Sequence, residues 1–393
     1  MASLLRRGLD LLAPRSSSPR RQAAKHKAQQ ASGAETATTF TTAATSTALF
    51  ASVDRTVDGD DCDRDCASCT VKYPAKFNVD YEDTLYGHVK GWATHVLVAT
   101  GKTDWVRDVA DEKGSVMEAI DKGRVRASNG ALKLSASNIP VPDEYYDHPK
   151  GQQPTTVLLL PAFTVVDHVT PALVPDLIHN FVDRSPTTTT PLSPAPQISA
   201  SPKGSDHCNS DVPLALVAGP GDHPGAPTPL DLSSIRDSLP SPLRSRPCPH
   251  AAVILLCSQK TRDARCGQYA PLLRREFERH LRPLGLYRDL TDDRPGGVGI
   301  YFISHVGGHK YSANVIVYRR RNFDWFKERD GADEESQLTS ESDEGAAQGI
   351  WLARVRPEDC EGIVKFTVQQ GKVVKPDLQL RGGFDRQRGL ISW

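Results

Sequence analysis

The chain has 393 residues with 48 Lys and Arg against 48 Asp and Glu, so its formal net charge is zero and composition makes no case for nucleic-acid binding. Hydrophobic residues make up 38%, below the usual globular share, and no run of about 18 apolar residues is present to span a membrane. Eight cysteines in a chain this long are too sparse for a disulfide scaffold.

Residues 1–34 carry five Arg and two Lys against one acid, Asp10, with Leu4, Leu5, Leu9 and Leu12 at near-helical spacing. An Arg-rich, Ser-rich, acid-poor amphipathic start reads as a mitochondrial presequence, and no apolar core follows to make a secretory signal. Residues 35–60 are rich in Ala and Thr and are expected to be unstructured. A first α/β unit is expected over 61–184. Its buried strands are "THVLVATG" (94–101) and "TTVLLLPAF" (155–163), short β-branched runs closed by turn formers. Between them "VMEAIDKG" reads as a helix ending at Gly123.

Residues 185–249 hold 14 of the 29 prolines and are expected to be a disordered linker, too polar to offset its ordering entropy. A second unit follows over 250–376. "AAVILLC" (251–257) is its first strand, and Leu273, Phe277 and Leu281 mark one face of the next helix. "GVGIYFIS" (297–304), "ANVIVY" (313–318) and "GIWLARV" (349–355) are further strands, with an acidic insertion at 328–345. The last helix has Pro357 in its first turn and Gly371 past its end. The order β-α-β-β-β-α is compatible with a thioredoxin-like α/β sandwich. Residues 377–393 are left as a tail.

Chemistry-bearing residues gather in the second unit. Cys257 ends a strand, Cys266 opens a helix, His305 ends the next strand, and His309 closes the loop "HVGGH". Two glycines inside that loop disfavour a helix, each costing about 1 kcal/mol relative to alanine. Two thiolates and two neutral imidazoles can hold zinc or an iron–sulfur centre. The C-x8-C spacing is wider than a zinc finger's. In the first unit, Cys62, Cys66 and Cys69 form C-x3-C-x2-C. Cys66 and Cys69 are candidate redox thiols or half of a metal site, and no second C-x-x-C is present to complete a four-cysteine zinc site.

"HVGGHKYSANVIVY", "GIWLARVRPEDCEGIV", "GKVV" and the first-unit stretch "DCASCTVKYPAKFNVDYEDTLYGHVKGWATHVLVATGKTDW" resemble the sucrase/ferredoxin-like family. Within it they resemble most the fungal branch called altered inheritance of mitochondria proteins. The resemblance implies a thioredoxin-like [2Fe-2S] ferredoxin domain in which Cys257 and Cys266 supply the thiolates and His305 and His309 the imidazoles. It implies a redox protein with a partner that exchanges electrons. No acidic pair supports the sucrase half of the family name. Replacing two thiolates by neutral imidazoles makes the site less negative and raises its potential. It also leaves a titratable nitrogen on each ring, coupling electron uptake to proton uptake. The alternatives are a thiol–disulfide oxidoreductase using Cys66 and Cys69, and a zinc-stabilised interaction protein. The closing Ile391-Ser392-Trp393 resembles the tripeptide read by the cytosolic iron–sulfur targeting machinery. That feature competes with the presequence, so mitochondria are the expected location and the cytoplasm the alternative.

Overall fold

The computed structural model describes residues 39–74, 78–149, 151–192, 241–323 and 344–393. The expected presequence and most of both the Pro-rich linker and the acidic insertion lie outside these residues.

The first half begins with β1 (Thr41–Thr42) and two one-turn helices, Ser46–Leu49 and Arg55–Asp58. Strand β2 (Thr94–Ala99) is wholly buried, as its run of β-branched residues requires. Helix α1 (Val116–Lys122) follows, with the Ser115 hydroxyl accepting from the Glu118 N–H and so satisfying an orphan donor. Then come β3 (Leu132–Ser137), β4 (Thr155–Leu160) and β5 (Thr164–Val169). Helix α2 closes the half, as a turn at Val174–Asp176 running into a π-helical stretch, Leu177–Val182.

The second half begins with β6 (Arg244–Pro247) and β7 (Ala252–Cys257). The 18-residue helix α3 (Ala264–Leu281) buries Cys266, Tyr269, Leu273, Phe277 and Leu281 along one face. Strands β8 (Tyr287–Arg288), β9 (Val298–Ile303), β10 (Val315–Arg320) and β11 (Ala346–Leu352) follow. Helix α4 starts as a turn at Cys360–Gly362 and widens into a π-helical stretch, Ile363–Val368. Strands β12 (Leu380–Asp385) and β13 (Leu390–Ser392) end the chain.

All thirteen strands belong to one mixed sheet. In the second half β7 and β9 are parallel, β10 is antiparallel to β7, and β11 is antiparallel to β10. The spatial order β11-β10-β7-β9, with a helix between β7 and β9 and another after β11, is the thioredoxin-like path the sequence points to. The first half repeats it. Strands β2 and β3 are parallel across α1, β4 is antiparallel to β2, and β5 is antiparallel to β4. The halves join edge to edge where Ser137, ending β3, pairs with Ile303, ending β9. Asn138 extends this short ladder, its side chain accepting from the Phe302 N–H at 2.7 Å.

Three stretches expected to lie outside the folded units are part of the sheet. Within 35–60, β1 pairs with β13, and Leu49 and Phe50 are fully buried. Within 185–249, β6 pairs with β5, and Cys248 is buried. Within 377–393, β12 pairs with β11 and β13 with β12. Each is a locally polar or Gly-rich stretch without apolar periodicity, so only a distant strand supplies its hydrogen-bond partners.

Candidate metal centre

The candidate ligands stand at the ends of consecutive elements. Cys257 is the last residue of β7, Cys266 lies in the first turn of α3, and His305 follows β9 by two residues. The sulfur or ring-nitrogen atoms of these three all lie within 4.8 Å of one another. The Cys257 and Cys266 sulfurs are 3.5 Å apart, and Cys257 Sγ is 4.0 Å from His305 Nδ1. Two thiolates on one tetrahedral ion, each about 2.3 Å from it, would stand about 3.8 Å apart. The sulfur spacing therefore fits a shared metal.

His309 stands outside that tight group. Its ring centroid lies 5.3 Å from that of His305, and its side chain is 46% exposed. Its Nε2 is 4.0 Å from an Asp263 carboxylate oxygen. The nearby carboxylate favours a proton on the nitrogen that faces it.

Burial holds the His309 pKa below its usual value, which keeps the ring in its neutral, ligating form. The proton shared between the sulfurs holds the Cys257 thiol below the usual range and pushes Cys266 above it. Such a pair titrates as a unit, with one thiolate formed readily and the second needing a cation to form. A metal ion is such a cation.

The loop is shaped by its own two glycines and by residues outside it. Gly307 and Gly308 both have positive φ, 94° and 71°. A Cβ on Gly308 would lie 2.7 Å from the Arg381 guanidinium nitrogens. Arg381 Nη1 donates to Gly307 O at 3.1 Å and to Asn314 Oδ1 at 2.9 Å, and the guanidinium lies 4.2 Å from the Trp351 ring centroid. Burial pulls the Arg381 pKa down to about 10, still high enough to keep it charged at neutral pH. Asn314 Nδ2 donates to Gly308 O at 3.1 Å. Gln259, 1% exposed, accepts from the His305 backbone N–H at 2.8 Å. No spacing signal in the sequence marks Gln259, Asn314 or Arg381, because each acts across the fold on a backbone group.

Lys133 reaches the loop from the other half of the sheet, donating to Val306 O at 3.3 Å. Burial lowers its pKa from 10.5 to about 8. A folded value below the unfolded one means the unfolded chain binds more protons between those two pH values, so stability rises with pH across that window. The difference is on the order of 3 kcal/mol. Lys133→Met should therefore stabilise the metal-free protein at pH 7 by up to that amount and confer no gain at pH 10.5. Urea unfolding at both pH values checks it, and an equal gain at both would reject the burial cost as its cause.

The other candidates are placed as follows. The seven described cysteines, Cys62, Cys66 and Cys69 among them, are free thiols. Cys66 is buried beside α3, and burial raises the Cys69 pKa. Cys360 is fully buried. Ile391, Ser392 and Trp393 do not form a free tail: Ile391 and Ser392 lie in β13, and the Trp393 ring packs 4.4 Å from that of Trp92. No helix among the described residues is long and apolar enough to cross a membrane.

Together the fold and the donor group define a thioredoxin-like α/β protein that gathers two cysteines and a histidine at its strand ends. The chain belongs to the sucrase/ferredoxin-like family, whose profile matches residues 85–382. It is 29% identical over 263 residues to Actin patches distal protein 1 of Saccharomyces cerevisiae, covering 63% of this chain and 67% of that protein. It is 35% identical over 123 residues to Altered inheritance of mitochondria protein 32 of Debaryomyces hansenii, and 31% identical over 126 residues to the protein of that name from Clavispora lusitaniae. Each of these two matches spans 33% of the relative's length and about a third of this chain, 31% and 32%. No solved structure matches the chain.

Proposed function

We propose that this chain is a [2Fe-2S] redox protein, with Cys257 and Cys266 on one iron and His305 and His309 on the other. The observation that carries the reading is the convergence of Cys257, Cys266 and His305 from three separate elements to within 4.8 Å. The donor chemistry fits the group: two soft thiolates and two imidazoles, of which His309 is held neutral by burial. When bound, such a cluster supplies one-electron redox chemistry.

The chain's own residues do the rest. Arg381 and Asn314 hold the Gly307-Gly308 turn. Gln259 fixes the backbone at His305. With a cluster bound, the outer nitrogens of His305 and His309 would be where a proton lost at alkaline pH in the oxidised state returns on reduction, and Asp263 beside His309 Nε2 would favour the protonated ring. The test is potentiometry of anaerobically purified full-length protein, with iron and sulfide quantified. The potential is expected to fall with pH, approaching about 59 mV per unit where one proton follows one electron. A flat potential from about pH 6 to 10, a range that brackets the ordinary histidine pKa, would sink the proton coupling.

We place the protein in mitochondria, on the basic, acid-poor character of residues 1–34. A redox partner protein and the iron–sulfur assembly machinery are its proposed contacts. A fluorescent tag inserted near residue 215 leaves both ends of the chain free, and a diffuse cytoplasmic signal would overturn the placement.

A further inference from the structure

A second group of donors lies at the far end of α3. Cys266 and His280 are 14 residues apart on that helix, about 21 Å along its axis. Cys66 comes from the segment between the one-turn helix Arg55–Asp58 and β2, and Glu361 from the first turn of α4. One donor atom each from Cys66, His280 and Glu361 lies within 4.8 Å of the other two. Cys66 Sγ is 3.9 Å from His280 Nε2. The Cys66 N–H donates to Glu358 O at 2.9 Å, tying the segment to the start of α4. The Cys69 N–H donates to Cys66 O at 3.3 Å, turning the C-x-x-C stretch back on itself.

A cation already stands among these donors. Arg279 Nη2 is 3.5 Å from Cys66 Sγ, 3.0 Å from His280 Nε2 and 2.8 Å from Glu276 Oε2. An arginine can only donate, so His280 Nε2 carries its lone pair toward the group, as a metal ligand must. Burial further favours the neutral ring. The Arg279 side chain is 39% exposed and can swing outward, whereas Cys66 is 7% exposed and fixed. The bland alternative is that Arg279 alone satisfies these acceptors. Against it stands the donor set, sulfur, nitrogen and carboxylate oxygen, which is one that zinc takes.

We propose that Cys66, His280 and Glu361 bind one zinc ion, with water in the fourth position and Arg279 as the cation that zinc displaces; the Cys69 sulfur faces Val71 O at 3.6 Å instead. Binding releases the Cys66 thiol proton and changes no oxidation state. The ion pins residues 62–69 to the end of α3 and the start of α4. The site shares no ligand with the candidate cluster and stands or falls apart from it.

The test uses full-length protein purified without chelator, with metals measured by mass spectrometry and zinc affinity by competition with a chromogenic chelator. One zinc per chain is expected, with affinity lowered by more than about tenfold in Cys66→Ser and His280→Gln. Arg279→Gln removes the competing cation and should tighten binding. Cobalt(II) in the site should give a thiolate charge-transfer band that Cys66→Ser abolishes. Should Cys66→Ser fail to fold, His280→Gln and Arg279→Gln still decide, since they move affinity in opposite directions. Three results overturn the proposal: no zinc at stoichiometric addition; zinc kept in His280→Gln but lost in Cys257→Ala; or a reversible Cys66–Cys69 disulfide whose reduced form takes no zinc.

Discussion

Cys257→Ala should yield a folded, colourless protein. Cys257 is 3% exposed and its backbone is locked in the centre of the sheet, paired with Ile303 of β9. Removing one sulfur from that position leaves a small cavity, costing about 1–2 kcal/mol, so the fold survives. The loss falls on the centre. Loss of a carboxylate or amide that merely orients a ligand costs about 10–100-fold in metal affinity, and loss of a ligand costs more. Iron and sulfide should therefore fall to background in Cys257→Ala and in His305→Ala. Asp263→Asn, beside His309, should retain the cluster with affinity lower by about tenfold. Cys360→Ala is the matched control. Cys360 is as deeply buried, and its sulfur faces Arg356 O at 3.8 Å. Colour lost equally in both cysteine variants would mean the effect is packing. Iron and sulfide unchanged in Cys257→Ala would remove the basis of the cluster assignment.

Tyr318→Phe should cost about 2–4 kcal/mol although it leaves no cavity. Tyr318 lies on β10 in the second half and is fully buried. Its hydroxyl accepts from Trp92 Nε1 at 3.1 Å and is 3.1 Å from His95 Nδ1. Trp92 and His95 belong to the first half, and His95 Nε2 continues to Ser135 Oγ at 2.9 Å. Burial holds His95 well below its usual pKa, so the ring is neutral and bonds once through each nitrogen. Deleting the hydroxyl strands an indole N–H and an imidazole nitrogen away from water. The full desolvation penalty of both then counts against the folded state. Guanidinium unfolding checks it. Because the network spans the halves, Tyr318→Phe should also separate their unfolding or lower it jointly. A change below about 0.5 kcal/mol, the level of an ordinary surface substitution, would show that the network carries no stability.

Much of the sheet was legible. The strands 94–99, 155–160, 252–257, 298–303 and 315–320 each carry an uninterrupted apolar run of at least four residues, and burial on both faces of a central strand favours that pattern. Strands β3 and β5 were missed because "LKLSAS" and "TVVDHV" carry polar residues inside the run. In β3, Ser135 and Ser137 are buried because His95 and the Phe302 carbonyl satisfy them, partners far away in sequence.

By itself the sequence determined the thioredoxin-like order of the second half and the residue types of the candidate centre. Hydrophobic runs, a helix face and the H-x3-H loop are local, and local patterns survive without knowledge of the partners. Only the tertiary structure decided that the first half repeats the same path and shares one sheet with the second. The same holds for "LRGGFD", which reads as a polar tail yet forms a buried strand, with Arg381 donating to the Gly307 carbonyl. Likewise Cys66, His280 and Glu361 are 214 and 81 residues apart in steps along the chain, and nothing in their spacing marks them as neighbours. The reason is clearest for Arg381, buried in that strand. A buried polar group is tolerated only where a partner meets it, and the chain's path through space, not its order, supplies that partner.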